Sequence, residues 1–277
     1  MVAGANDAEH DVLVDRSHPG VALVTLNRPH HLNALTSEML ATIYGTFEEL
    51  GRDETCRVIV ITGAGRGFCA GDDLVDYRPP AWVPIDVGPI QSNMYQQKYV
   101  AQLVPRMRAL PQPVIAAVNG ACAGAGLALA VSCDVRFASA DAFFSGIFGR
   151  RGLVAENGLA WTLPRLIGHG AASDMLLSGR KIDAATALRY GLVNEVLPPE
   201  ALMGHALAYA RDVAANVSPR SARIIKAQLQ GSGEQTLSEA LAASDAALRE
   251  ALASEDFQEG VAAMREKRQP VFPDEAR

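Results

Sequence analysis

Pro113–Asp134 reads PVIAAVNGACAGAGLALAVSCD, and the rest of the chain is organised around it. Val114–Val118 is an apolar run short enough for a buried strand. Asn119 and Gly120 break it, residues made almost wholly of Gly, Ala and Cys follow, and from Leu127 apolar residues recur at helical spacing as far as Cys133-Asp134. A strand, a turn of tiny side chains and a helix start let another molecule reach bare backbone N–H groups at a helix N-terminus, where developing negative charge is favoured. The same small residues also suit close packing of two elements, and this stretch alone leaves both uses open.

Outward from this centre, residues 11–16 and 21–26 flank His18-Pro19-Gly20 and predict a β-hairpin. Thr36 or Ser37 caps a predicted helix to about Leu50, with Met39, Leu40, Ile43, Phe47 and Leu50 on its apolar face. Residues 57–62 (RVIVIT) predict a buried strand and Gly63–Gly71 a glycine-rich loop. Gly65, Gly67 and Ala70 there fit a dinucleotide-binding turn. Pro79, Pro80, Pro84 and Pro89, however, interrupt the helix and second strand that such a unit needs. Residues 75–92, with Trp82, form a proline-rich segment suited to a lid or a long surface loop, and 93–110 predict a helix. Short strands are expected at 135–138, 142–144 and 192–196, and helices at 158–167, 170–178, 183–190, 200–215, 218–230, 234–252 and 256–268. Strand–helix alternation gives way to helices alone near Pro198-Pro199. This places an architectural boundary between residues 1–197 and 198–277.

The 277 residues suffice for a sizeable core, and about half are apolar with a fifth charged. A net charge of −6 argues against a general nucleic-acid or anionic-membrane binder. The first ten residues are polar, no apolar run is long enough to span a bilayer, and Cys56, Cys69, Cys122 and Cys133 lack metal-type spacing. These features predict a cytoplasmic protein with reduced thiols and no bound metal. No G-x-S-x-G occurs, which argues against a serine hydrolase of that type.

Several blocks together resemble the crotonase (enoyl-CoA hydratase/isomerase) superfamily over nearly the whole chain. They are Asn27-Arg28-Pro29 with Leu32-Asn33-Ala34-Leu35, Val60–Gly63, Phe68–Leu74, Pro113–Leu127, Cys133-Asp134, Gly191-Leu192-Val193, and Gly260 with Glu266-Lys267-Arg268. The resemblance implies an α/β (α+β) fold, a spiral of ββα turns that forms a catalytic domain at 1–197. It further implies a C-terminal helical trimerisation region at 198–277, giving trimers or dimers of trimers. It implies an acyl-CoA thioester ligand, with coenzyme A as part of the substrate and no separate cofactor. It implies two backbone N–H donors for the thioester oxygen, which by position are those of Asp72 and Ala125, the latter within Gly124-Ala125-Gly126. His30, His31 and Leu32 match one wall of the coenzyme A path and Ala70 and Leu74 the other. Lys267 matches a basic residue that reaches a neighbouring subunit's coenzyme A. His30 and His31 suit a solvated turn equally well.

The departures carry as much information. The two glutamates that position water in the family's hydratases fall at Ala128 and Phe148, so the usual hydration machinery lacks both acids. Glu156, in GLVAENG, matches the position of the single base of Δ3,Δ2-enoyl-CoA isomerases. An apolar pocket lined by Phe148 would raise its pKa toward neutrality. The expected reaction is therefore enoyl-CoA double-bond isomerisation with Glu156 as base. A hydratase or lyase on an unusual acyl chain and a non-catalytic acyl-CoA-binding oligomer are the alternatives. An acid at Asp72 is awkward beside an enolate, so its backbone is expected to work while its side chain turns away or serves as a second acid–base group. Asp73 is expected to cap the local turn.

Overall fold

A computed structural model describes residues 10–74 and 103–274. The proline-rich 75–92 segment with Trp82, and the first part of the helix expected at 93–110, lie outside the described residues.

The hairpin forms as β1 (Val12–His18) and β2 (Val21–Leu26), paired antiparallel. Helix α1 (Ser37–Arg52) starts where Thr36 Oγ1 accepts the Met39 N–H at 3.1 Å, and buries Met39, Leu40, Ile43, Phe47 and Leu50 as the spacing requires. Then follow β3 (Val58–Gly63), β4 (Gly67–Cys69), helix α2 (Leu103–Ala109), β5 (Val114–Val118) and β6 (Ala121–Ala123). Next come helix α3 (Ala125–Ser132), β7 (Val135–Ser139), β8 (Phe143–Ser145), a 3-10 turn Ile147–Arg151 and helix α4 (Leu159–Ser178). The described chain continues with β9 (Lys181–Asp183), α5 (Ala184–Tyr190), β10 (Glu195–Leu197), α6 (Leu202–Asn216), α7 (Pro219–Gly231), α8 (Leu237–Leu252) and α9 (Glu255–Glu266).

The strands divide into a six-stranded sheet, β1-β2-β3-β5-β7-β10, and a four-stranded one, β4-β6-β8-β9. The pairs β3/β4, β5/β6 and β7/β8 each give one strand to each sheet, and all pairings are parallel except β1/β2 and β8/β9. Successive turns therefore stack as a spiral. Alternation sorts the central strands: Ile59, Ile61, Ala116 and Val118 face the core beneath α1 and α3. Val58, Val60, Ile115 and Ala117 face α6, whose Ala206, Ala210 and Ala214, four residues apart, let the helix lie close to the sheet.

Three expectations need correction. The Gly63–Gly71 stretch is not all loop, and the tiny-residue turn after Gly120 is not all turn, because β4 and β6 form within them and pair with each other. By contrast, the helices expected at 158–167 and 170–178 both form, as the two halves of α4 divided at Gly168, where φ is 77°. The strand expected at 192–196 falls at 195–197, because Gly191 ends α5 in a left-handed cap and Leu192 turns into the core.

Candidate active site

Two asparagines, one wholly and one partly buried, shape the glycine-rich loop. Asn33, wholly buried at φ 57°, accepts the Arg28 N–H (2.8 Å) and donates to the carbonyls of Ala64 (3.0 Å) and Gly67 (2.7 Å). Asn119 accepts the Gly63 N–H (3.2 Å) and donates to the carbonyls of Gly65 (2.9 Å) and Gly67 (3.1 Å). These clamps, with a strand from Gly67, replace the helix a dinucleotide turn would start. The largely buried carboxylate of Asp73 pairs with Arg28 at 2.9 Å.

The loop's far end runs beside the 32–35 segment. Ala70 N–H donates to the Leu32 carbonyl (3.0 Å), Leu35 N–H to the Gly71 carbonyl (2.8 Å) and Asp73 N–H to the Leu35 carbonyl (2.9 Å), so Leu35 and Asp72 form an isolated parallel bridge. In such a ladder the N–H of Asp72 faces away from Leu35. On that side lies the start of α3, where Ala125 is the first helical residue and its N–H has no helical carbonyl to meet. Two glycines permit the approach. A Cβ on Gly71, at φ +99°, would stand 3.0 Å from the Ala123 carbonyl and 3.4 Å from the Ala125 nitrogen, and one on Gly126 would stand 2.1 Å from the Cys69 carbonyl oxygen.

A cavity of about 380 Å³ opens over these two turns. Its lining brings together nearly the whole expected set: His30, His31, Leu32, Ala70, Asp72, Leu74, Gly124, Phe148 and Glu156. Ala125 follows Gly124 directly and is buried. Ala128 is fully buried in the core, and Phe148 forms an apolar wall, so neither position supplies an acid. Lys267, exposed in the left-handed cap of α9, is the one expected residue that stands elsewhere. Arg151, Ile147 and Leu153 line the cavity without any sequence signal having marked them.

Glu156 holds its proton up to about 7, first because burial disfavours the charged form and second because the Asp72 carboxylate repels it. The pKa of Asp72 is itself raised by burial, partly offset by the nearness of its own main-chain N–H. The cysteines lie outside this chemistry. Burial lifts Cys56 to about 11, Cys69 and Cys133 to about 12, and Cys122 well above the usual thiol value, so all four stay protonated near neutrality. A larger cleft of about 720 Å³, lined by Trp161, Ile225 and Leu229 among others, has Asp134 as its one acidic lining residue among the described residues. That carboxylate is bound by Lys226 at 2.8 Å. No cluster of three or more potential metal ligands occurs among the described residues, and none of their helices is long and apolar enough to cross a membrane.

The sequence profile of the enoyl-CoA hydratase/isomerase family matches residues 16–275. The chain belongs to this family. Its similarity to 1,2-epoxyphenylacetyl-CoA isomerase of Escherichia coli (strain K12) is 36% identity over 263 residues, covering 95% of this chain and 98% of that one. Among solved structures, enoyl-CoA hydratase from Bacillus anthracis superposes with a TM-score of 0.84 at 30% identity, over 96% of this chain and all of that one. The Mycobacterium smegmatis enoyl-CoA hydratase gives 0.83 at 33%, over 95% and 99%. The spiral of ββα turns is thus the crotonase fold, and the protein is an enzyme of the enoyl-CoA hydratase/isomerase family.

Proposed function

We propose that the enzyme isomerises the double bond of an enoyl-CoA, with Glu156 as its single base. One observation carries the reading. Glu156 lines the cavity beside Asp72 and Gly124 with a pKa near neutrality, while the two hydratase positions hold Ala128 and Phe148. The N–H groups of Asp72 and Ala125 take the thioester oxygen, and Glu156 removes a proton from C2 of a 3-enoyl thioester. Charge moves to the oxygen, where two preorganised donors favour the enolate by roughly 3 kcal/mol each. Glu156 then returns the proton at C4, giving the conjugated 2-enoyl thioester. A base that gives back the proton it took works best with a pKa near the working pH. Coenzyme A enters as part of the substrate, past His30, His31 and Leu32 on one side and Ala70 and Leu74 on the other, and the route calls on no metal or separate cofactor.

We further propose that residues 198–277 build a homotrimer or a dimer of trimers in the cytoplasm, with Lys267 reaching a neighbour's coenzyme A. Helix α8 buries no residue within the chain and exposes Leu237, Leu241, Leu248 and Leu252, and α9 exposes Phe257 and Met264. Such faces suit contact with another copy.

The test is ultraviolet absorbance of the conjugated thioester with purified enzyme and Glu156→Gln. A rise from 3-enoyl-CoA that vanishes in the variant supports isomerisation. A fall from 2-enoyl-CoA makes the enzyme a hydratase, and acyl-CoA affinity unaltered by Glu156→Gln, with no turnover of any thioester even by the wild type, makes it a binding protein. Sedimentation equilibrium tests the assembly, and a monomer at micromolar concentration would refute it.

A further inference from the structure

Asp72 presents a contradiction that the acyl-CoA reading, on which this inference rests, does not resolve. The N–H assigned to the thioester oxygen faces away from Leu35, and the side chain of the same residue lines the cavity that the thioester would enter. A thioester oxygen arriving there meets a carboxylate at short range, and the enolate that forms meets it with full charge. Burial weakens the screening that water would give.

Among the described residues, the surroundings pair no counter-charge with this carboxylate. On its own strand, Asp73 has the same sign and holds Arg28 at 2.9 Å. Across the cavity Glu156 also has the same sign, and His30, His31 and Arg151 stand in the lining with Arg151 exposed. Behind it, Tyr44 of α1 and Cys69 of β4 are held neutral by burial, each feeling the Asp72 charge, and Arg106 of α2 lies over the Tyr44 ring at 5.0 Å. Among the described residues no basic side chain is paired with Asp72.

We propose that Asp72 takes up one proton from solvent when an acyl-CoA thioester binds, and that the neutral carboxyl group then donates its O–H to the thioester oxygen beside the residue's own N–H. The bond formed is O–H on the Asp72 carboxyl group. The proton returns to solvent when product leaves, so the overall isomerisation is unchanged. Two effects follow. The oxyanion gains a third donor, and Glu156 loses the repulsion that helps keep it protonated, so the base ionises more readily in the complex than in the free enzyme.

Isothermal titration with butyryl-CoA, which has no double bond to shift, reads the proton directly. The titration is run at about pH 8, above the carboxylate range and the coenzyme A phosphate range, in two buffers of different ionisation enthalpy. The expected result is close to one proton taken up per site in the wild type and in Glu156→Gln, falling to near zero in Asp72→Asn. Coenzyme A alone, which lacks the thioester carbonyl, should bind the wild type with no uptake, a comparison that needs no variant. Binding of butyryl-CoA without proton uptake by the wild type overturns the proposal, as does uptake that persists in Asp72→Asn. Failure of butyryl-CoA to bind at all refutes the acyl-CoA reading instead.

Discussion

Replacing Glu156 by glutamine keeps the side-chain shape and removes the charge, and the fold should become more stable at alkaline pH. Glu156 titrates near 7 in the folded protein against an ordinary 4.5, through burial and the Asp72 charge, and the unfolded chain has neither. Below about 4.5 both states carry the proton, and the residue's stabilising contribution is fully present. As pH rises toward 7 the unfolded state releases a proton that the folded state keeps, so stability declines, and above about 7 the loss is complete. For a fully desolvated group that gap would correspond to ~3 kcal/mol. Glu156 is only partly buried, and solvent screening brings the expectation to ~1 kcal/mol. Glutamine has no such dependence, so Glu156→Gln should gain ~1 kcal/mol on the wild type between about pH 5 and about pH 8. In a chain of this size that is a relative rise of ~2–4 °C in melting temperature. Differential scanning calorimetry of both proteins at the two pH values makes the comparison. A difference independent of pH, or a variant less stable at about pH 8, would show that the carboxylate is not strained in the free enzyme.

Four further outcomes are expected. The pH profile of kcat/KM for 3-enoyl-CoA should rise about tenfold between about pH 6 and about pH 8 and then level, as the free-enzyme base ionises near 7. In Asp72→Asn, any residual activity should show that limb moved toward acid, because one of the two causes of the raised pKa is gone. Gly126→Ala should cost ~3 kcal/mol or more in denaturant titrations, since its Cβ would lie 2.1 Å from the Cys69 carbonyl oxygen, and buried backbone has nowhere to go. Lys226→Met should cost ~3 kcal/mol by the same measurement, because it strands Asp134, which Lys226 holds at 2.8 Å, and removes the donor to the Gln112 carbonyl. Adding Asp134→Asn should recover part of that cost.

The sequence by itself determined what is settled by local chemistry. The Thr36 cap and the spacing of Met39, Ile43 and Phe47 gave α1, and short apolar runs gave β2, β3 and β5. The Gly-Ala-Cys turn before α3 offered bare backbone to an anion or close packing to a neighbour, because small residues expose backbone wherever they stand, and the resemblance to the family pointed to Glu156 as a base. The four-stranded sheet was not legible. Its strands Gly67–Cys69, Ala121–Ala123, Phe143–Ser145 and Lys181–Asp183 have three residues each, too short to show a period, and only Phe143 and Phe144 lay in a stretch that read as strand. They are strands because each finds hydrogen-bonding neighbours across the spiral. Asn119 read as a strand break and Asn33 only as part of a family-like block, and only folding brings them to the carbonyls of residues 64–67 that they clamp. The tertiary structure alone decided that Asp72 and Glu156 share one cavity and repel each other. A pKa near neutrality comes from burial and from a charge distant in sequence, and neither exists until the chain has wound its turns into contact.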